Sequence, residues 1–334
     1  MIRRLALLPL LAVALVAAAC GGASDENEAA GATSGAGHSA NALSLVAYST
    51  PQVVYDEIIP DFRATAEGKG IDFKTSFGAS GDQSRAVEAG LKADVVSFSV
   101  EPDMERLVEA GLVEPTWREN QHKGLVTTSV VSFIVRKGNP KNIKTWDDLL
   151  KPGVEVITPN PFTSGAAKWN VLGAYNYGGL DYVRELFIEH VKVQPKSGRE
   201  ALQDFVSGQG DVLLSYEYEA TTAQKKGEEL DYVIPDDTVR IDITFATTKD
   251  APKEAQVFAD YVLSEPAQQR FADWGYRPVN KAVLNKNKSK FPTPRKLAGI
   301  ERFGGWEKVN DELFDPDTGS IAKIEEELGV PMES

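Results

Sequence analysis

From Leu43 onward, short apolar runs alternate with longer stretches that mix apolar and charged positions, a pattern that predicts strands alternating with helices. Leu43 to Tyr48 predicts a strand and Pro51 to Ala66 a helix. A strand over 71–76, a helix over Gln83 to Leu91 and a buried strand over Asp94 to Phe98 follow. A short helix over Glu101 to Ala110 is ended by Gly111. Such repetition implies a parallel sheet with helices on both faces. Val126 to Arg136 is a long β-rich stretch that stops at Gly138-Asn139-Pro140, a turn signal and an exit into a second lobe. There the pattern restarts, with a short helix at Trp146 to Leu150, a strand at Glu155 to Thr158, a helix at Ser164 to Tyr177 and a strand at Val191 to Val193. A helix at Gly198 to Val206, a buried strand at Asp211 to Ser215 and a helix at Glu217 to Lys226 complete it. Val239 to Thr247 predicts a strand that crosses back, and Pro252 suits the first turn of a helix running to Leu263. The expected architecture is α/β and two-lobed: residues 43–135 and 240–334 form lobe I, 136–239 form lobe II, and a two-stranded hinge joins them.

Two turns in this pattern carry candidate chemistry. In Thr158-Pro159-Asn160-Pro161-Phe162-Thr163-Ser164-Gly165-Ala166 the prolines hold the chain extended and Ser164-Gly165 opens a helix. In Phe77-Gly78-Ala79-Ser80-Gly81-Asp82 a second Ser-Gly follows a strand. A helix start presents backbone N–H groups without partners and about half a positive charge, and glycine lets an anion approach the backbone. One such start is usually only a cap; two that face one cleft would hold a small oxyanion. Ligands of open α/β sheets sit beyond the carboxyl ends of the strands, where both turns fall.

The N-terminus adds a location. Arg3 and Arg4 precede an apolar run from Leu5 to Val16, which ends in Ala17-Ala18-Ala19-Cys20, the pattern of a bacterial export signal over residues 1–20. The run is too short to span a membrane. Cys20 is the sole cysteine, so no internal disulfide forms, and its place after the signal predicts a lipid-modified N-terminus. Residues 21–42 are dominated by Gly, Ala, Ser, Asn, Glu and Asp and predict a flexible tether. The expected location is therefore the outer face of the cytoplasmic membrane, held there by lipid. The formal net charge is −13 and grows more negative without residues 1–20, which disfavours nucleic acid and anionic lipid as partners.

Further motifs are Ser80-Gly81 followed by Gln83, Ala93-Asp94-Val95-Val96, Val135-Arg136-Lys137-Gly138-Asn139-Pro140-Lys141, and Ile157 to Ser164 continuing to Trp169-Asn170. Gly210-Asp211-Val212-Leu213, Tyr276-Arg277-Pro278 and Phe303-Gly304-Gly305-Trp306 follow. In this order they resemble the sulfate-binding and thiosulfate-binding receptors of bacterial ABC importers, from about Leu43 to the C-terminus. The resemblance implies a class II periplasmic-binding-protein fold whose lobes close over an anion. It implies a non-enzymatic monomer without cofactor or metal, delivering its ligand to the permease subunits. It also implies ligand donors: the backbone N–H groups at Ser80-Gly81 and at Gly165 with Ala166, the Ser164 hydroxyl, and Tyr216 where the family carries an indole. Arg199, in a Ser197-Gly198-Arg199-Glu200 segment one residue shorter than the family's, either enters the site or pairs outside it. Asp82 stands where the family often has Lys, and either complements its helix start or offers the site an acceptor. Trp306 occupies a packing position.

A site with donors and no acceptors discriminates. Hydrogen bonds to a charged group return roughly 1.5–3 kcal/mol each, so five to seven of them offset much of the dianion's desolvation. An anion that still carries a proton finds nothing to accept it. Sulfate is therefore the expected ligand, with thiosulfate, molybdate or tungstate, and phosphate as alternatives on the same fold. A serine hydrolase is the remote reading. Gly78-Ala79-Ser80-Gly81-Asp82 lacks the last glycine of a nucleophile elbow, and of the three histidines His38 lies in the tether while His122 and His190 suit structural roles.

Overall fold

In this computed structural model residues 42–332 are described; the expected signal, Cys20 and most of the tether lie outside them. β1 (Ala42–Tyr48) is buried from Leu43 onward and is flanked by two parallel partners, β2 (Asp72–Gly78) and β3 (Val95–Phe98). A strand covered on both faces must be a continuous apolar run, and Leu43 to Ala47 is nearly one. β2, at the sheet edge, instead carries Asp72, Lys74 and Thr75. The connections are α1 (Gln52–Arg63) and α2 (Ser80–Glu88), and α3 (Glu101–Glu109) follows β3.

β4 (Leu125–Arg136) begins the second half, which continues through β5 (Val156–Ile157), α4 (Gly165–Glu185), β6 (Val191–Val193), α5 (Gly198–Val206), β7 (Val212–Tyr216), α6 (Glu217–Lys225) and β8 (Leu230–Val233). β9 (Asp237–Thr247) returns. It is followed by α7 (Lys253–Val262), α8 (Glu265–Asp273), β10 (Arg277–Pro278), α9 (Lys281–Lys286), β11 (Lys296–Ala298), α10 (Trp306–Val309) and α11 (Ser320–Leu328).

The strand order is β2-β1-β3-β9-β4-β7-β5-β6, with β8 and β10 also on β4 and β11 on β9. The predicted parallel pairing holds at the two ends, β1 with β2 and β3, and β5 with β6 and β7. The long strands β9 and β4 between them run antiparallel to β3, to each other and to β7, so the sheet is mixed where a parallel one was expected. β4 pairs with β9 from Leu125 to Val130 and with β7 from Val131 to Val135, so one strand changes partner halfway along. The purely sequential reading missed this because a chain that crosses between halves must run against the strands it joins.

The C-terminal helix, grouped by sequence with lobe I, makes polar contacts with the 136–239 portion. Arg184 pairs with Glu327 at 2.7 Å, Gln194 donates to Glu325 at 2.9 Å and Asn160 donates to the Pro331 carbonyl at 2.7 Å.

Candidate functional site

Each Ser-Gly turn becomes a helix start. α2 begins at Ser80, three residues before the predicted Gln83, because Ala79 is extended and leaves Ser80 at the first helical position. α4 begins at Gly165 after the extended Ser164, whose hydroxyl makes no capping bond. α5 begins at Gly198 behind Ser197, which forms a reciprocal capping box with Glu200 at 3.2 Å in each direction.

The three starts meet. The Gly81 N–H donates to the Thr163 carbonyl at 3.2 Å, tying α2 to the loop that enters α4. The Thr163 hydroxyl donates to the Lys196 carbonyl at 2.7 Å, tying that loop to the entry of α5. A β-carbon on Gly198 would lie 3.5 Å from Thr50 Cγ2 and 3.7 Å from Ala166 Cβ, which places the α5 start against α4 and the loop after β1. Arg199 donates from Nε to the Ser49 carbonyl at 3.1 Å and from a terminal nitrogen to the Thr50 carbonyl at 3.0 Å. It therefore clamps two neutral carbonyls of the loop after β1.

Geometry divides the predicted donors. Gly165 and Ala166 are buried and occupy the first two helical positions, whose N–H groups have no acceptor inside the helix. Ser80 is buried in the same first position of α2. Its hydroxyl donates to Asp103 Oδ2 at 2.6 Å and accepts from the Ser99 N–H at 3.1 Å, so its side chain is committed within the chain. Gly81 commits its N–H to Thr163, and Ser164 commits its N–H to the Asn160 carbonyl at 2.9 Å while its hydroxyl stays out of the cap. The Tyr216 hydroxyl is buried without a hydrogen-bond partner, and burial, with Tyr48 beside it, holds it well above the ordinary phenol range. It keeps its proton and remains a donor. Asp82 accepts from Arg85 on the surface of α2, which favours the helix-start role over an acceptor in the site.

Several residues of this region carry no signal in the sequence. Asp103 aligns Ser80 and is itself held by Arg106 at 3.2 Å. Ser99 links Ser80 through its N–H and accepts from Trp169 Nε1 at its carbonyl, 2.7 Å. Trp169 in turn packs edge-on to Trp306 with centroids 4.8 Å apart, so both are core. The Thr50 hydroxyl meets the Tyr218 hydroxyl at 2.9 Å, and Tyr218 donates to Tyr48 at 3.1 Å. No local pattern marks these pairs, since their members lie far apart in sequence. A serine nucleophile has no support in this geometry: Ser80 faces an aspartate, and His190 Nδ1 lies 3.1 Å from the Val154 carbonyl.

Two α/β halves joined by crossing strands, with helix starts converging between them, define a periplasmic-binding-protein fold. Residues 43–277 match the family model for bacterial extracellular solute-binding proteins, and the chain belongs to that family. It is similar to a sulfate-binding protein of Synechococcus elongatus, 36% identical over 94% of this chain and 93% of that one. A thiosulfate-binding protein of Pseudomonas aeruginosa is 34% identical over 85% of this chain and 92% of its own length. Among solved structures, the sulfate-binding protein SubI of Mycobacterium tuberculosis superposes with a TM-score of 0.80 at 45% identity, covering 82% of this chain and all of that one. These relatives are binding proteins and not enzymes.

Proposed function

We propose that the protein is the extracytoplasmic receptor of an ABC importer and binds sulfate where the starts of α2, α4 and α5 converge. The observation that carries this reading is the convergence itself, three buried helix N-termini tied to one another by the Gly81 and Thr163 bonds. The names of the similar proteins point to the same ligand class. The N–H groups of Ser80, Gly165 and Ala166, the Ser164 hydroxyl and the Tyr216 phenol are the donors offered. Asp103 accepts from Ser80 and pairs with Arg106, so it offers no open acceptor to a protonated anion. Residues 43–135 and 240–334 form one lobe and 136–239 the other, with the C-terminal helix as a strap. Closure about β4 and β9 is what the permease reads. The protein acts as a monomer held to the membrane by lipid on Cys20.

Calorimetric titration of the full chain in mild detergent with sulfate, thiosulfate, molybdate and phosphate tests the ligand. Sulfate binding without phosphate binding is expected; phosphate binding without sulfate would overturn the donor-only site. Thiosulfate is the second reading, favoured by the Pseudomonas relative. The anchor has its own test: Cys20→Ser is expected to move the protein from the membrane fraction to the soluble one, and full retention in the membrane would remove the lipid anchor.

A further inference from the structure

Glu219, in the first turn of α6, is 1% exposed, and its Oε1 has no hydrogen-bond partner. Tyr218, its neighbour in α6, belongs to a cluster of four phenols. Tyr218 stacks on Tyr276 with centroids 3.7 Å apart, Tyr216 lies 5.0 Å from Tyr218, and Tyr48 meets Tyr216 edge-on at 6.4 Å. All four hydroxyls feel the charge of Glu219. The cations that face it are Arg199 from α5 and Lys226 at the end of α6. Arg199 gives its hydrogen bonds to the neutral carbonyls of Ser49 and Thr50, the Thr50 hydroxyl meets that of Tyr218 next to Glu219, and the charge of Arg199 bears on Glu219. The α5 turn that carries Arg199 also packs on Ala166, at the start of α4. A buried acid with an unsatisfied oxygen is therefore linked, through Tyr218, Thr50 and Arg199, to the proposed anion cradle.

We infer that Glu219 is a positioning residue of that cradle and takes up a proton from solvent when a dianion enters, leaving the charge of Arg199 free to face the guest. The inference rests on the anion-receptor reading above. Two added negative charges in a desolvated region raise the cost of a neighbouring carboxylate and hence its proton affinity. Burial, against the pull of Arg199 and Lys226, already pushes the Glu219 carboxyl up to about 7, so exchange falls near neutrality. The sign follows: a proton bound on association makes sulfate affinity fall as pH rises above about 7, by at most about tenfold per pH unit, and level off where Glu219 is already neutral.

Sulfate titrations of the full chain at about pH 7.5, in buffers of different ionisation enthalpy, count the protons. The parent is expected to take up a fraction of a proton, up to one, and Glu219→Gln to bind sulfate with none and with a flat pH profile. Glu325, another buried acid pushed up to about 7 and likewise with an unpartnered Oε1, is the control, since its other oxygen accepts from Gln194 and the charge of Arg199 does not bear on it; Glu325→Gln is expected to keep the uptake. Buffer-independent heats in the parent would overturn the inference, as would uptake that survives Glu219→Gln or disappears in Glu325→Gln. Where Glu219→Gln fails to fold, infrared difference spectra of the parent decide: a protonated-carboxyl band that grows on sulfate addition supports the inference, and its absence overturns it. A parent that binds no sulfate at all refutes instead the receptor reading.

Discussion

At Gly165 the requirement for glycine comes from a neighbour rather than from its own backbone. A β-carbon there would lie 2.2 Å from Ser99 Oγ and 3.0 Å from a methyl of Val100. Ser99 holds Ser80 through its N–H and Trp169 through its carbonyl, so displacing it moves two helix starts at once. Gly165→Ala is expected to weaken sulfate binding by roughly 1–3 kcal/mol, about fivefold to 150-fold, through misplaced donors and overpacking. Titration against the parent measures this, and equal affinity would detach the α4 start from the site. Gly165 was legible in the sequence because a Ser-Gly turn between a strand and a helix is a local signal. The bonds that aim it were not: Ser80 to Asp103 spans 23 residues and Arg199 to Ser49 spans 150, and neither pair leaves a spacing that a single chain displays.

Elements show the same division between local and distant causes. The strands and helices of both βαβ portions follow from runs and caps, and the Ser197 box fixes α5 to the residue. β8 was missed because Leu230-Asp231-Tyr232-Val233 is short and owes its strand to β4, against which it pairs. α4 outruns its predicted end at Tyr177 because Gly179, at φ 71°, lets the helix resume as far as Glu185. The short 3-10 turn at Trp146–Leu150 is a cap with a measurable charge. Burial raises the Asp148 carboxyl, but Lys151 at 2.5 Å, the N–H groups of Lys144 and Thr145 and the Thr145 hydroxyl together hold it down at about 2. A carboxyl depressed in the folded state stabilises it above the ordinary carboxylate range and loses that contribution as pH falls toward 2. Asp148→Ala is expected to cost about 0.5–2 kcal/mol at neutral pH. The deficit should shrink in strong acid; urea unfolding at both pH values tests it, and a deficit that is constant with pH would mean packing rather than the charged cap.

For the whole molecule the decisive feature is that β4 belongs to both halves, pairing with β9 along its first part and β7 along its second. On the proposed two-lobed reading the halves would move about the change of partner, while the helix starts that face each other between them are joined by short contacts such as Gly81 to Thr163. In the proposed site a dianion bonded by the starts of α2 and α4 would gain donors from both sides, and so would stabilise the closed arrangement and, with it, the fold. The expected gain is RT ln(1 + [L]/Kd), about 2.7 kcal/mol at a hundredfold excess over Kd. For a chain of this size that amounts to a rise of roughly 4 °C in Tm. The acidic net charge of −13 makes an ionic-strength control necessary, because any salt screens self-repulsion. Sodium sulfate should therefore raise Tm with the logarithm of its concentration well beyond sodium chloride of equal ionic strength, and Gly165→Ala should shift that dependence to higher sulfate. If the two salts acted alike, sulfate would be a general ion for this protein and the meeting of the three helix starts would serve only to join its halves.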